Sequence, residues 1–193
     1  MKKCKQIRLG RTNIYCGELG LGCEGFTKLD QMMSTKIINE ALDLGMNFID
    51  LYSSNPVTRK NIGNALASRR KEMIIQGHLC TIWSDGQYER TRDIEKTKES
   101  FEALLKDLNT DYIDIGMIHY IDEEKDFDEV FNGEIIEYAK CLKEKGIIKH
   151  IGISSHNPVV ASKAAKTGLI DVIMFSVNPC YDLLPASEDC DVL

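Results

Sequence analysis

The chain has 193 residues, 43% of them apolar and 28% charged, which suits one domain with its own core. Its formal charge of −6 is the wrong sign for a nucleic-acid footprint, and its longest apolar run falls well short of the roughly 20 residues of a membrane span. Seven cysteines, an odd number with no CxxC pair, argue against a disulfide framework or an iron–sulfur ligand set within these residues and predict reduced thiols packed as small hydrophobes. The N-terminus, MKKCKQIRLG, is basic but has no apolar h-region, so no secretion signal is read and a cytoplasmic protein is expected.

The first predicted element is a small hairpin over Gln6–Tyr15, followed by a strand at Glu18–Gly22. Ser34 is the expected N-cap of a helix with Ile37, Ile38, Ala41 and Leu42 on its inner face, and Gly45 ends it. A strand at Met46–Asp50 leads to a helix in Val57–Leu66, with Ile62, Ala65 and Leu66 at helical spacing. Met73–His78 is the third strand, and Trp83 and Tyr88 fall in the loop after it, where they would wall a substrate pocket. Thr91–Asn109 reads as a helix with Phe101, Leu104, Leu105 and Leu108 on one side. Tyr112–His119 is the fourth strand, and the acidic run IDEEKDFDE is expected to be a solvated loop and helix start. A helix at Glu134–Lys145 closes on Gly146, a strand follows at Ile147–Ser154, and Asn157 and Pro158 cap and open another helix that Gly168 ends. The sixth strand is Asp171–Val177, before the polar tail PASEDCDVL.

Unbroken alternation of strand and helix implies right-handed βαβ units and a parallel sheet. Six strands fit an open doubly wound sheet or the front of an eight-stranded barrel. Gly20, Gly22 and Gly25 in GLGCEG come near a Rossmann fingerprint, but no helix begins there; a P-loop and a GxSxG elbow are absent. In parallel α/β folds chemistry gathers at the carboxyl ends of strands. Here those ends carry Gly22, Cys23 and Glu24, then Asp50, His78, His119, the run Ser154, Ser155 and His156, and Asn178. Three of the four histidines fall on this one face.

At this point the run of segments resembles the aldo-keto reductase family. LGRTN followed by LGLGCEG resembles the family's opening hairpin and first barrel strand. ALDLGMNFIDLYSS resembles its helix and strand with the catalytic aspartate, LLKDLNTDYIDIGMIHY its approach to the catalytic histidine, and LKEKGIIKHIGISSHNP its fifth strand. The resemblance implies a (β/α)8 barrel, here with about six of its eight units, as a single domain. It also implies an oxidoreductase that reduces carbonyls with NADPH or NADH through an Asp, Tyr, Lys and His tetrad. In that tetrad the tyrosine gives the proton, and a buried lysine held by the aspartate lowers its pKa.

Carried over residue by residue, Asp50 and His119 match. Asn55 stands where the tyrosine is expected and His78 where the lysine is. Asn55 can bind an oxyanion but has no proton to give, so His78 or His119 becomes the candidate source, with Tyr52 as a nearby substitute. The resemblance places Gly22, Cys23, Ser154 and Ser155 around the cofactor, with Ser155 where an asparagine is common and Met174 where a glutamine is usual. The segments resemble in particular a branch with a C-terminal ferredoxin-like module, which would lie beyond Leu193, and only that module would carry an iron–sulfur cluster. A chain missing the last two barrel units would leave sheet edges that favour self-association. The other expected partner is a small-molecule substrate, with neither nucleic acid nor membrane. Two alternatives stay open: a non-catalytic barrel fragment or accessory subunit, and a metal-binding enzyme using Cys23, Asp50, His78 and His119.

Overall fold

The computed structural model describes residues 3–177; Asn178 and the polar tail lie outside the described residues. A short antiparallel hairpin, β1 (Gln6–Arg8) and β2 (Tyr15–Gly17), opens the chain. Then come β3 (Leu21–Gly22), α1 (Gln31–Asp43), β4 (Phe48–Leu51), α2 (Pro56–Leu66) and β5 (Ile74–Leu79). A second hairpin, β6 (Thr81–Ser84) and β7 (Gln87–Arg90), precedes α3 (Ile94–Asp107). The chain continues through β8 (Ile113–Ile118), α4 (Glu124–Phe131), α5 (Glu134–Glu144), β9 (Ile148–Ser155), α6 (Pro158–Lys166) and β10 (Val172–Phe175).

Six strands form one curled parallel sheet in the order β10, β9, β8, β5, β4, β3, so the described residues make a partial barrel rather than an open doubly wound sheet. Every predicted barrel strand is present within a few residues of its expected bounds. Among the described residues, no helix is long and apolar enough to cross a membrane.

Period-two alternation decides what each strand residue does. Ile49, Leu51, Ile75, Leu79, Ile151 and Ile153 point outward into the layer of helices, where they meet Ile38, Ile62, Leu66, Phe101 and Leu104 in the main core. The alternate residues point into the concave side. At its amino end these are apolar, Phe48, Ile74, Ile115, Met117 and Val172, and the first hairpin closes over them with Ile14 and Cys16. At its carboxyl end they are polar: Asp50, His78, His119 and Ser154.

Three expectations need correction. The first helix starts at Gln31, not after Ser34: Asp30 accepts the Met33 N–H at 2.8 Å, and Ser34 is fully buried inside the helix. Asp30 is as good a cap as serine and stands closer to the chain's exit from β3. The stretch after β5 is an ordered hairpin rather than a loop, turned by Asp85 and Gly86 at φ of 49° and 79°, the two positive angles a tight hairpin turn requires. The acidic run is not simply solvated, because Asp122 and Asp126 are both tied into the site described below.

Candidate active site

The polar ends of β4, β5, β8, β9 and β10 converge on a cleft of about 160 Å³. It is lined chiefly by Asp50, Tyr52, His78, His119, Ser154 and Met174. Asp50 and Gln76 are paired neighbours in register, as are His78 and Met117, so the sheet itself sets their heights.

Asp50 Oδ1 accepts from Gln76 Nε2 at 2.7 Å and bonds His78 Nε2 at 2.9 Å. Burial pushes the carboxyl up, but the bonds from His78 and Gln76 outweigh it and hold Asp50 below the ordinary carboxylate value, so it is an anion at neutral pH. The other ring nitrogen of His78, Nδ1, lies 2.8 Å from His119 Nδ1. His119 Nε2 in turn bonds the hydroxyl of Tyr88 on β7. Tyr52 lays its ring nearly parallel to that of His119, at 6.3 Å and 15°, and edge-on to Tyr88. Burial raises Tyr52's phenol, with Glu24 and Asp50 adding to the effect, which makes it a wall of the cleft rather than a ready acid.

His119 is held from behind. Arg92 donates to its carbonyl at 2.9 Å and to that of Tyr120 at 2.8 Å, while gripping Asp126 of α4 with two bonds of 2.6 and 2.7 Å. Such a paired guanidinium–carboxylate contact fixes orientation as well as position. Burial, helped by His78 and the nearby Arg92, pushes His119 down to about 3, so the ring is neutral at neutral pH. The sign for stability follows. The folded value lies below the unfolded value of 6.5, so between about 6.5 and 3 the unfolded chain binds a proton that folded His119 refuses. Stability is therefore complete above the unfolded value and declines as pH falls through this window. Urea unfolding is expected to show a loss on the order of a few kcal/mol between about pH 7 and pH 4, with the slope flattened in His119→Asn. A slope that is the same in both proteins would refute it.

The other expected site residues divide. Ser154 is buried in the cleft, and its hydroxyl has no hydrogen-bond partner among the described residues. Ser155 does not share that freedom: its hydroxyl donates to the Ile121 carbonyl at 2.7 Å and contacts Asp122, which also takes the His156 N–H. A side chain at Gly22 would meet nothing within 4 Å, so the strand end is open there. Cys23 packs in the core, and burial, with Asp50 nearby, raises its thiol far above its ordinary value. Asn55 is not among the residues lining the cleft. Its Oδ1 caps α2 by accepting from Val57 and Thr58 N–H at 2.9 and 3.1 Å. The metal-site alternative finds no support: among the described residues no group of three or more histidine, cysteine, aspartate or glutamate side chains is placed to hold an ion. His78 already engages both ring nitrogens within the chain.

The residues that sequence reasoning left out are Gln76 and Arg92, together with the reach of Tyr88 to His119. Alternation alone would have put Gln76 beside His78 on the concave face.

A family model described as "Aldo/keto reductase family" matches residues 14–189. An uncharacterized oxidoreductase, YqkF of Bacillus subtilis strain 168, is 32% identical over 88% of this chain and 55% of its own length. A probable aldo-keto reductase of Glycine max is 28% identical over 82% of this chain and 47% of its own. Among solved structures, the holo form of an aldo-keto reductase from Bacillus halodurans superposes with a TM-score of 0.77 at 28% identity, covering 90% of this chain and 58% of that one. The chain thus spans roughly half the length of the curated relatives it matches.

Proposed function

The chain belongs to the aldo/keto reductase family, and on that premise we propose that it works in an oxidoreductase of that type. The reaction is the nicotinamide-linked interconversion of a small carbonyl compound and its alcohol. Asp50, His78 and His119 handle the proton in place of the family's tyrosine and lysine. The observation that carries this reading is the continuous hydrogen bonding from anionic Asp50 through His78 to neutral His119 at the floor of a cleft.

The residues fit the reacting end of a nicotinamide cofactor. Ser154 offers a buried hydroxyl without a partner among the described residues, suited to a carboxamide, and Gly22 leaves room above its strand end. The cleft has the size of a ring and a small carbonyl rather than of a whole dinucleotide. When bound, the nicotinamide supplies or accepts the hydride. The chain's own residues do the rest. Ser154 orients the carboxamide, Tyr52 and Met174 wall the cleft, and His119 stands at its floor with its proton balance tied through His78 to Asp50.

Fluorescence titration with NADPH and NADH tests the reading, and two serine variants sharpen it. Ser154→Ala is expected to weaken nicotinamide binding about tenfold while leaving stability nearly unchanged, because it removes a hydroxyl that bonds nothing among the described residues. Ser155→Ala is expected to do the reverse and lose on the order of 1 kcal/mol of stability, because its hydroxyl joins β9 to the segment after β8. No binding of either cofactor at millimolar concentration would end the reading for this chain. Binding without turnover of any carbonyl would favour the accessory-subunit alternative instead.

A further inference from the structure

A reduction that draws its proton from the row of Asp50, His78 and His119 leaves that row one proton short, and the row is poorly placed to recover it. The side chains of His78 and Asp50 are 2% and 15% exposed, and His119 is buried as well. Both ring nitrogens of His78 are engaged, by Asp50 and His119, and both of His119, by His78 and Tyr88. The row therefore needs a partner that touches the cleft on one side and water on the other.

We propose that His156, oriented by Asp122, is the proton port of the cleft, the group that carries protons between solvent and the buried row. The proposal rests on the oxidoreductase reading above and deepens it by naming how the row is recharged between turnovers.

Three observations converge on His156. It lines the cleft together with Asp50, His78 and His119. Its side chain is 55% exposed, so the ring also meets water. Its Nδ1 lies 2.9 Å from Asp122 Oδ2, while its Nε2 bonds no described residue. Of the three imidazoles that line the cleft it is thus the one with a nitrogen not engaged among the described residues. An imidazole is also the side chain best suited to give and take protons near neutral pH, far better than the phenols or hydroxyls that share the lining.

The ring is aimed, not loose. Asp122 Oδ1 accepts the backbone N–H of His156 at 2.6 Å, so one carboxylate holds both the main chain and the ring of the same residue. Asp122 is fixed in turn, because Asn157 Nδ2 donates to its carbonyl at 2.9 Å and the Ser155 hydroxyl contacts its Oδ1. The ring of Tyr120 meets His156 edge-on at 5.4 Å and His119 at 5.1 Å, which closes the wall between mouth and floor. The titratable and charged groups that face His156 are Asp122, the Tyr120 phenol and, over the ring of Tyr120, Arg90. Beside it on its own stretch stand Ser154, Ser155 and Asn157.

The proton count closes. In a reduction the nicotinamide gives a hydride to the carbonyl carbon and the row gives one proton to the oxygen. After the alcohol leaves, a polar cleft of about 160 Å³ fills with water. The imidazolium of His156 then releases its Nε2 proton into that water, and the row takes one up at Asp50 Oδ2, the carboxylate oxygen that bonds no described residue. His156 is left neutral with its remaining proton on Nδ1, facing Asp122, and regains the lost one from solvent. In the oxidation direction every transfer runs in reverse.

The test has two independent arms, both on the chain as it exists. In the chain without cofactor, NMR of isotope-labelled histidine follows exchange of the His78 and His119 ring N–H protons with water. Exchange is expected to slow severalfold in His156→Gln and to recover when free imidazole is added. Exchange that is equally fast in His156→Gln overturns the port. In the turnover arm, NADPH-dependent reduction of propanal is followed in weak buffer. His156→Gln is expected to lower kcat about tenfold with nicotinamide affinity unchanged, and added imidazole should restore the rate in a saturable way. A merely structural histidine would not respond to imidazole, so a loss without rescue overturns the proposal, as does a wild-type rate. A chain that turns over no carbonyl defeats the oxidoreductase reading separately, and the exchange arm still decides the port.

Discussion

Asp50→Asn lowers turnover about a thousandfold and leaves the fold intact. The two consequences have separate causes. Asp50 Oδ1 accepts from both Gln76 and His78, and an asparagine carbonyl oxygen in the same place accepts from both as well. The geometry of β4 and β5 therefore survives, and what stability loses is the charge assistance in the two bonds that hold the carboxyl below its ordinary value, on the order of 1 kcal/mol. What is lost is the only group in the row that ends it as an anion. A neutral amide can neither receive a proton passed inward through His78 nor return one. The check is single-turnover kinetics beside urea unfolding for the same variant. Turnover within about tenfold of wild type would show that the proton never reaches Asp50, and that His119 acts alone.

Gly63→Ala is expected to destabilise the protein by about 2 kcal/mol, a fall of roughly 5 °C in Tm for a chain of this size. Gly63 lies in α2 where that helix meets the end of α3. A Cβ there would sit 2.7 Å from the Asp107 carbonyl oxygen and 2.7 Å from two backbone atoms of Leu108. These are backbone atoms of a packed helix end, so no side-chain rotation relieves the clash. Alanine's better helix propensity returns about 1 kcal/mol at most, less than the overpacking costs. Gly25→Ala is the natural comparison, since a Cβ there meets nothing within 4 Å, and it should change stability by less than about 0.5 kcal/mol. Equal melting temperatures for the two variants would mean that the helices can move apart freely.

Much of this was legible in the residues. Each barrel strand announced itself as an apolar run ending in a polar group, and the same rule put Asp50, His78, His119 and Ser154 on one face. Asn55 was misjudged because its expected role came from alignment of position, while its local chemistry said otherwise. Asn55–Pro56 repeats the pattern of Asn157–Pro158, a capping amide before a proline at the first helical turn. The part played by Tyr88 was harder to see. Asp85–Gly86 between alternating residues is a strong hairpin signal. The direction in which the hairpin folds, however, depends on a left-handed cysteine and on an arginine reaching a distant carbonyl. Neither is written in periodicity. Ser155 and Ser154 were indistinguishable as letters, and only the alternation of faces tells which one turns its hydroxyl into the cleft.

The alternation along the barrel strands has an evolutionary side. Residues that hold the chain together face the helices, and the polar residues of the cleft face the other way, yet both ride on the same few strands. A substitution at an inward position such as His78 or Met174 leaves the outward anchors Ile75, Leu79 and Ile153 in place. A lineage can therefore exchange its cleft-lining residues one position at a time, with each intermediate still folded.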